Sequence, residues 1–246
     1  VTPSRDTLAK DWAAARRELT NYATRIVLRK DVAEELVQQA AVRLMELDVP
    51  PSSTEGVRAW LFRVVTNLGI DHVRRHSTRR EHVMAETKQV ATADAAFMAE
   101  METMRGDAEH REMAREHLSV CFACTLRVFP AQRAAALLLV EVFDFTVAEA
   151  ADMLAARPTQ VKNWIQECRA GLDARYAETC ALVTKKGVCH ECVELSAYFT
   201  GEGENPLEGT SGVADARLAI LRERRETALG PWHTKLMVIV DDLLRR

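Results

Sequence analysis

The chain has 246 residues, 48% of them hydrophobic and 28% charged, with a formal net charge of −3. That length admits one large domain or two to three small ones, with the composition of a soluble globular protein. No stretch reaches the ~20 apolar residues that span a bilayer. A net acidic chain can meet nucleic acid only through a local basic face. Glycine is scarce, at 10 residues, while Ala, Leu, Arg and Glu abound, which favours helices. The first residues lack the apolar core of a signal peptide, so a cytoplasmic location is expected. There the six cysteines read as metal or redox chemistry rather than a disulfide framework.

Residues 5–47 read as two helices. Asp31 with Glu34 suggests a capping-box start for the second. Val32, Leu36, Ala40, Leu44 and Leu47 then follow helical spacing, and Glu34, Glu35, Gln38 and Gln39 mark the opposite face. Prolines and small polar residues over Asp48–Gly56 predict a loop. A helix follows from Val57 to about Arg75, with Leu61, Val64, Val65 and Leu68 as its apolar stripe. From Arg58 to Arg80 there are six arginines against one acid, Asp71. A basic run of this kind is either a solvated helix end or a nucleic-acid contact.

Residues 81–116 reverse the sign, with nine acids and four basic residues, and read as a linker that turns helical towards its end. Phe129-Pro130 opens an apolar helix over Ala131–Phe143. A short helix from Phe145 to Leu154 follows, with Thr146 and Glu149 as a capping pair. After a turn at Ala155–Pro158, a further helix begins at Thr159. This pair of helices has the look of a helix-turn-helix. The remainder is a tail with a loop at 201–212 and a final helical region that Gly230-Pro231 should divide. Expected domains are 5–80, 81–116, 117–175 and 176–246, in an all-α fold.

Two strings carry a family resemblance. Asp31-Val-Ala-Glu-Glu-Leu-Val-Gln-Gln39 and Arg58-Ala-Trp-Leu-Phe-Arg-Val-Val-Thr-Asn-Leu-Gly-Ile-Asp-His-Val-Arg-Arg75 resemble region 2 of bacterial extracytoplasmic-function (ECF) sigma factors. Phe129–Leu172 resembles their region 4. The resemblance implies two helical domains that bind polymerase and DNA, joined by an acidic linker and followed by a helical cysteine-rich extension. It implies core RNA polymerase as a partner, through its β′ clamp helices and β flap, with promoter DNA as the other. Glu34, Glu35 and Gln38 would dock on the clamp helices. Asn67, Asp71, Arg74 and Arg75 would hold the minus-ten element, and the loop Val49–Gly56 would accept an unstacked base. Region 4 would read the minus-thirty-five element through Arg157, Thr159, Gln160, Lys162, Asn163 and Gln166. The chain departs from the family pattern at Ala155, where glycine is common. It departs again at Trp164, Gln166 and Glu167, where basic residues are common. Trp60 is expected in the core.

The cysteines form two pairs with metal-ligand spacing, Cys121/Cys124 and Cys189/Cys192, on either side of the helix-turn-helix. With Cys180 they could hold a thiolate-bound metal, zinc first, with copper, cadmium or an iron–sulfur cluster as alternatives. Cys121 and Cys124 could equally be core residues, Cys168 reads as a packed residue, and His110 and His117 read as surface residues. The segment Cys180–Cys192 resembles the cysteine-rich tails of CorE-like sigma factors. That likeness implies metal-dependent switching without a separate anti-sigma factor, while a structural zinc fits the same residues. Two other functions compete: a polymerase-independent helix-turn-helix regulator and a thiol oxidoreductase. No βαβ pattern surrounds either cysteine pair, and no Ser/His/Asp array, phosphate loop or paired catalytic carboxylates occur, so an enzyme is not expected.

Overall fold

A computed structural model describes residues 3–76, 83–96, 98–99, 116, 118–123, 125–179 and 213–245. Among these residues every regular element is a helix, as the composition predicts.

Helix α1 spans Arg5–Val27 and is capped by Ser4, whose Oγ accepts from the Thr7 N–H at 3.2 Å. It ends on Leu28, in the left-handed region at φ 62°, whose N–H donates to the Thr24 carbonyl. Helix α2 spans Lys30–Met45. The expected capping box at Asp31 does not form. Arg29 is the N-cap and makes no side-chain cap. Its guanidinium instead takes both oxygens of Asp31, at 2.9 and 2.7 Å. A bidentate, charge-assisted pair outcompetes a single capping bond. Helix α3 spans Thr54–His76, starting three residues earlier than expected because Ser53 Oγ accepts from the Gly56 N–H at 3.0 Å. Leu19, Tyr22, Leu36, Leu44, Leu61, Phe62 and Val65 fill the space between these three helices. Gly69 allows the close crossing of α1 and α3, since a Cβ there would sit 3.1 Å from Ile26 Cγ2.

The acidic stretch contains a helix, α4, at Val83–Ala93. Residues 118–123 are helical, and a 3-10 turn at Leu126–Val128 leads into α5, Ala131–Glu141. Helix α6 spans Val147–Met153. Its capping box is complete: Thr146 Oγ1 accepts from the Glu149 N–H, and the Glu149 carboxylate accepts from the Thr146 N–H. The Thr146 hydroxyl also donates to the Glu149 carboxylate at 2.6 Å, and this bond, with that from the Thr146 N–H, holds the Glu149 carboxyl below its usual range. Helix α7 spans Pro158–Thr179, opened by a proline whose missing N–H costs nothing at that position. The tail supplies α8, Val213–Glu223, and α9, Pro231–Arg245. The break at Gly230-Pro231 is where the sequence places it.

One apolar core includes residues of α1–α3, of α5–α7 and of α8. A second, smaller cluster joins Leu28, Ala91, Val120 and Ala123 to Leu236, Met237, Val240 and Leu244 of α9. The tail helices are therefore built into the body of the protein.

The turn between α6 and α7 places Ala155 at φ 49°. The Ala156 N–H reaches back to the Ala151 carbonyl, the long bond of a left-handed helix terminus. A non-glycine residue in this region costs about 1–2 kcal/mol, part of which glycine's extra chain entropy offsets. Ala155→Gly should raise unfolding stability by about 0.5–1 kcal/mol, read as a higher urea midpoint at unchanged m-value.

Candidate nucleic-acid interface

Helix α3 buries Leu61, Phe62, Val65, Thr66, Gly69 and Ile70. The opposite face is therefore exposed, and it carries Arg63, Asn67, Asp71, Arg74 and Arg75. Spacings of three and four residues align them on one stripe. The four residues expected to meet DNA are thus on a single surface. Arg63 extends that surface and was not singled out from sequence, although its i,i+4 relation to Asn67 was legible. Asp71 lies 3.9 Å from Arg74, a loose pair between two half-exposed side chains. Arg63 reaches Asp152 of α6 at 3.4 Å.

The α2–α3 loop faces α6 across a cleft of about 430 Å³, walled by Pro51, Gly56, Trp60, Glu149 and Met153. Trp60, expected in the core, is only partly buried and forms one side of this cleft. On α2, the expected polymerase-binding residues Glu34, Glu35 and Gln38 are all exposed. Gln39 steadies this face by donating to Glu35 at 3.1 Å. Val42, 53% exposed, adds an apolar point to the same helix.

Helix α7 turns Val161, Ile165, Cys168 and Leu172 inward. Arg157, Thr159, Gln160, Lys162, Asn163 and Gln166 all stand in solvent. Glu167 is held by Arg133 of α5. Cys168 is fully buried, and burial pushes its thiol up to about 12, which fits a packing residue. Cys121 is buried within the main apolar cluster. Cys124, Cys180, Cys189 and Cys192 lie outside the described residues, as do His110, His117 and His190. Among the described residues, no three His, Cys, Asp or Glu side chains gather as metal ligands. None of the described helices is long and apolar enough to cross a membrane.

Helices α1–α3 and helices α5–α7 are joined by an aromatic knot. Phe143, in the α5–α6 loop, meets Tyr22 edge-on at 5.1 Å and Phe62 at 5.5 Å. Phe145 meets Phe62 at 4.8 Å. Arg58 lies over Phe62 and Phe145, at 4.8 and 4.4 Å from the ring centroids. Its guanidinium also donates to Glu18 and to the Phe143 carbonyl. Tyr22 donates to or accepts from Thr66 at 2.7 Å, and burial pushes its phenol well above the usual range.

Helix α8 fastens the knot from outside. Arg222 binds Glu141, Arg225 binds Asp144, and Arg169 of α7 binds Asp215. The segment after α8 reaches α1, where Asn21 Nδ2 donates to the Arg225 carbonyl at 3.0 Å and Arg17 pairs with Glu226 at 2.7 Å. Helix α9 reaches the other end of region α1–α3. Its buried Asp241 accepts from Arg245 at 2.6 Å and faces Arg29 at 3.8 Å. Arg245 lies 3.4 Å from His72 Nε2. Burial, then His76 and Arg245, lower the His72 pKa and favour its neutral ring.

Residues 12–79 match the family model for sigma-70 region 2. The chain is 38% identical over 76 residues to the probable ECF RNA polymerase sigma factor SigI of Mycobacterium tuberculosis, from strains CDC 1551 / Oshkosh and H37Rv. That match covers 31% of this chain and spans 26% of the length of each SigI protein. The ECF RNA polymerase sigma factor EcfG of Rhodopseudomonas palustris (strain TIE-1) is 28% identical over 174 residues, 70% of this chain and 86% of that protein. Helices α1–α3 thus carry a sigma-70 region 2. These likenesses support an ECF sigma factor, a class of transcription initiation factor.

The knot and the surface ion pairs differ in weight. Phe143→Ala should cost about 3–5 kcal/mol of stability, because it leaves a cavity against the rings of Tyr22 and Phe62. Glu141→Gln should cost about 1 kcal/mol or less, because the pairs it breaks are partly solvated. Urea denaturation ranks the two. Solution scattering should show the Phe143→Ala chain expanded at conditions where its helical circular dichroism is retained. An unchanged radius would mean that the knot does not hold the halves together.

Proposed function

We propose that this protein is an ECF-type sigma factor that directs core RNA polymerase to promoters and whose own tail holds it in a closed arrangement. The carrying observation is the exposed α3 stripe, Arg63 to Arg75, within the segment that matches sigma-70 region 2. A stripe that mixes arginines with Asn67 and Asp71 can grip phosphates and still offer polar groups to bases. Glu34, Glu35 and Gln38 would meet the polymerase clamp, and their exposure supports that role. Region 4 would read upstream DNA through Arg157, Thr159, Gln160, Lys162, Asn163 and Gln166 of α7 and its approach.

In this reading α8 and α9 do the work of an inhibitory partner, so that a separate anti-sigma factor is not required. Their ion pairs with α1, α5 and α7, and the burial of Ala214, Leu218 and Leu221 in the shared core, support it. The cysteines Cys121, Cys124, Cys180, Cys189 and Cys192 would bind a metal, zinc being the first choice, and set how firmly the tail holds. Soft thiolates at this spacing support the assignment on chemical grounds.

Purified chain with core polymerase should give promoter-specific transcripts, and DNA binding without transcripts would favour a polymerase-independent regulator. Arg74→Ala with Arg75→Ala should lower open-complex formation about tenfold or more while leaving binding to core polymerase unchanged. Equal loss of both would remove α3 from the DNA interface. Cys189→Ser with Cys192→Ser should reduce metal content by elemental analysis and alter transcription, with helical content retained. Full metal retention in that variant would show the ligands to be misassigned.

A further inference from the structure

The last turn of α9 meets the end of α3 through a contact whose chemistry depends on one proton. Arg245 Nη2 lies 3.4 Å from His72 Nε2. A guanidinium can only donate, so His72 Nε2 must offer its lone pair there, with the ring neutral and its hydrogen on Nδ1. Protonation of His72 puts an N–H against the guanidinium in place of that lone pair. A cation resting on a neutral acceptor then becomes two cations face to face.

The surroundings oppose that added charge. On α3, the His76 ring stands 4.4 Å from the His72 ring, centroid to centroid, and its Nδ1 donates to the His72 carbonyl at 3.0 Å. Asp71 and Arg75 of the same helix are exposed to solvent, and Asp71 lies 3.9 Å from Arg74. The 3-10 turn contributes the positive charge of Arg127. On α9, Asp241 works the other way, but it is fully buried and already engaged. Its Oδ2 accepts from Arg245 Nε at 2.6 Å and lies 3.8 Å from Arg29, which also has Asp242 at 4.0 Å. A carboxylate that faces two guanidinium groups has little to offer a third cation. Burial, then His76 and Arg245, lower the His72 pKa, with Asp241 opposing and Arg127 adding to the fall.

We propose that His72 is a proton-sensitive latch, which holds the end of α9 on α3 while neutral and loosens it when protonated. The sign follows from linkage. A histidine with a pKa in the fold below its ordinary value of about 6.5 adds stability that is present above that value and lost as the pH falls. Val240 and Leu244 are also buried on this part of α9, so protonation weakens the hold without abolishing it. At the start of α9, His233 pairs with Glu116 at 3.2 Å, a second contact that a test must keep apart from the first. The latch stands on this geometry alone. Its consequence for transcription rests on the proposed function, in which Arg74 and Arg75, next to His72 on α3, meet promoter DNA. A loosened α9 would bare that end of the helix.

Proton NMR of the histidine rings in the full chain reads the titration, with the His72 signal assigned by its loss in His72→Gln. His72 should titrate below about 6.5, and Arg245→Gln should move it up. Amide hydrogen exchange, corrected for the intrinsic rate at each pH, reads the latch. From about pH 7.5 to 5.5 the protection of the last two turns of α9 should fall about threefold or more further in the native chain than in His72→Gln. Glutamine offers an amide oxygen to Arg245 and carries no charge at either pH. It also leaves the His233 and Glu116 pair in place, so that pair contributes equally to both chains. A His72 signal that titrates at or above about 6.5 overturns the proposal. So does one that Arg245→Gln leaves unmoved, or an α9 whose protection falls equally in both chains. None of these readings uses polymerase or DNA, so they stand apart from any failure in transcription.

Discussion

The contact between Arg58 and the aromatic pair Phe143 and Phe145 sets the arrangement of everything else. Arg58 belongs to α3, the helix of the region 2 match that also carries the exposed stripe. Its flat guanidinium covers two rings while its nitrogens reach Glu18 and the Phe143 carbonyl. A planar, fully ionised cation can stack and hydrogen-bond at once, which a lysine ammonium cannot do. Phe143 then packs against Tyr22 and Phe62, the largest fully buried side chains of α1 and α3. The helix that carries the exposed polar stripe on one side thus anchors the α5–α6 loop on another.

Closure follows from where the tail attaches. Helix α8 bonds to α5 and α7, the chain after it bonds to α1, and α9 bonds to α2 and α3 at Arg29 and His72. Few of these contacts are strong alone, since most involve partly exposed charges. Their effect comes from being distributed across both halves while Leu218, Ile220 and Leu221 enter the main core. Opening would therefore expose apolar surface as well as break ion pairs. A partner can open such a state only by binding the open form more tightly than the closed one. The α2 face with Glu34, Glu35 and Gln38 is exposed in the closed arrangement, so a first encounter there requires no opening. The cleft between the α2–α3 loop and α6 is different, because α6 forms one of its walls.

Local structure was legible in the sequence, and the joining of the halves was not. The Thr146 and Glu149 capping box, the break at Gly230-Pro231 and the buried stripe on α2 all follow from short-range patterns. So does the exposure of every expected DNA and polymerase residue, because helical periodicity fixes which face remains once the apolar face is spent. Asp31 misled, since its capping pattern depends on Arg29 being elsewhere, and Arg29 is next door. Trp60 packs against the main core as expected, but it also keeps one side in the cleft beside α6 and so is only partly buried. Phe143 and Phe145 gave no sign of their partners: long-range packing leaves no periodic trace. Arg25 was invisible for a related reason. Arginine on a helix is taken as exposed, and only the arrival of Arg224 and α5 from far along the chain buries it.

The charge of α7, the proposed second reader, bears on how the protein would act. On the exposed side of α7, Lys162 is a cation, while Glu167 is occupied by Arg133 and the neighbouring groups are amides and hydroxyls. Counterion release from phosphates supplies most of the affinity of a DNA-binding surface, and it scales with the number of cations presented. As a DNA reader, a helix with so few cations would discriminate bases with little grip on the duplex. Arg169, which might have added to the grip, is committed to Glu141 and Asp215 instead. The Arg169–Asp215 pair, which closes the tail over α7, therefore also withdraws a positive charge from the side proposed to read DNA. If α7 reads DNA as proposed, release of α8 would free Arg169 from Asp215 and leave Glu141 as its partner, so opening and DNA affinity would be coupled through the same residue.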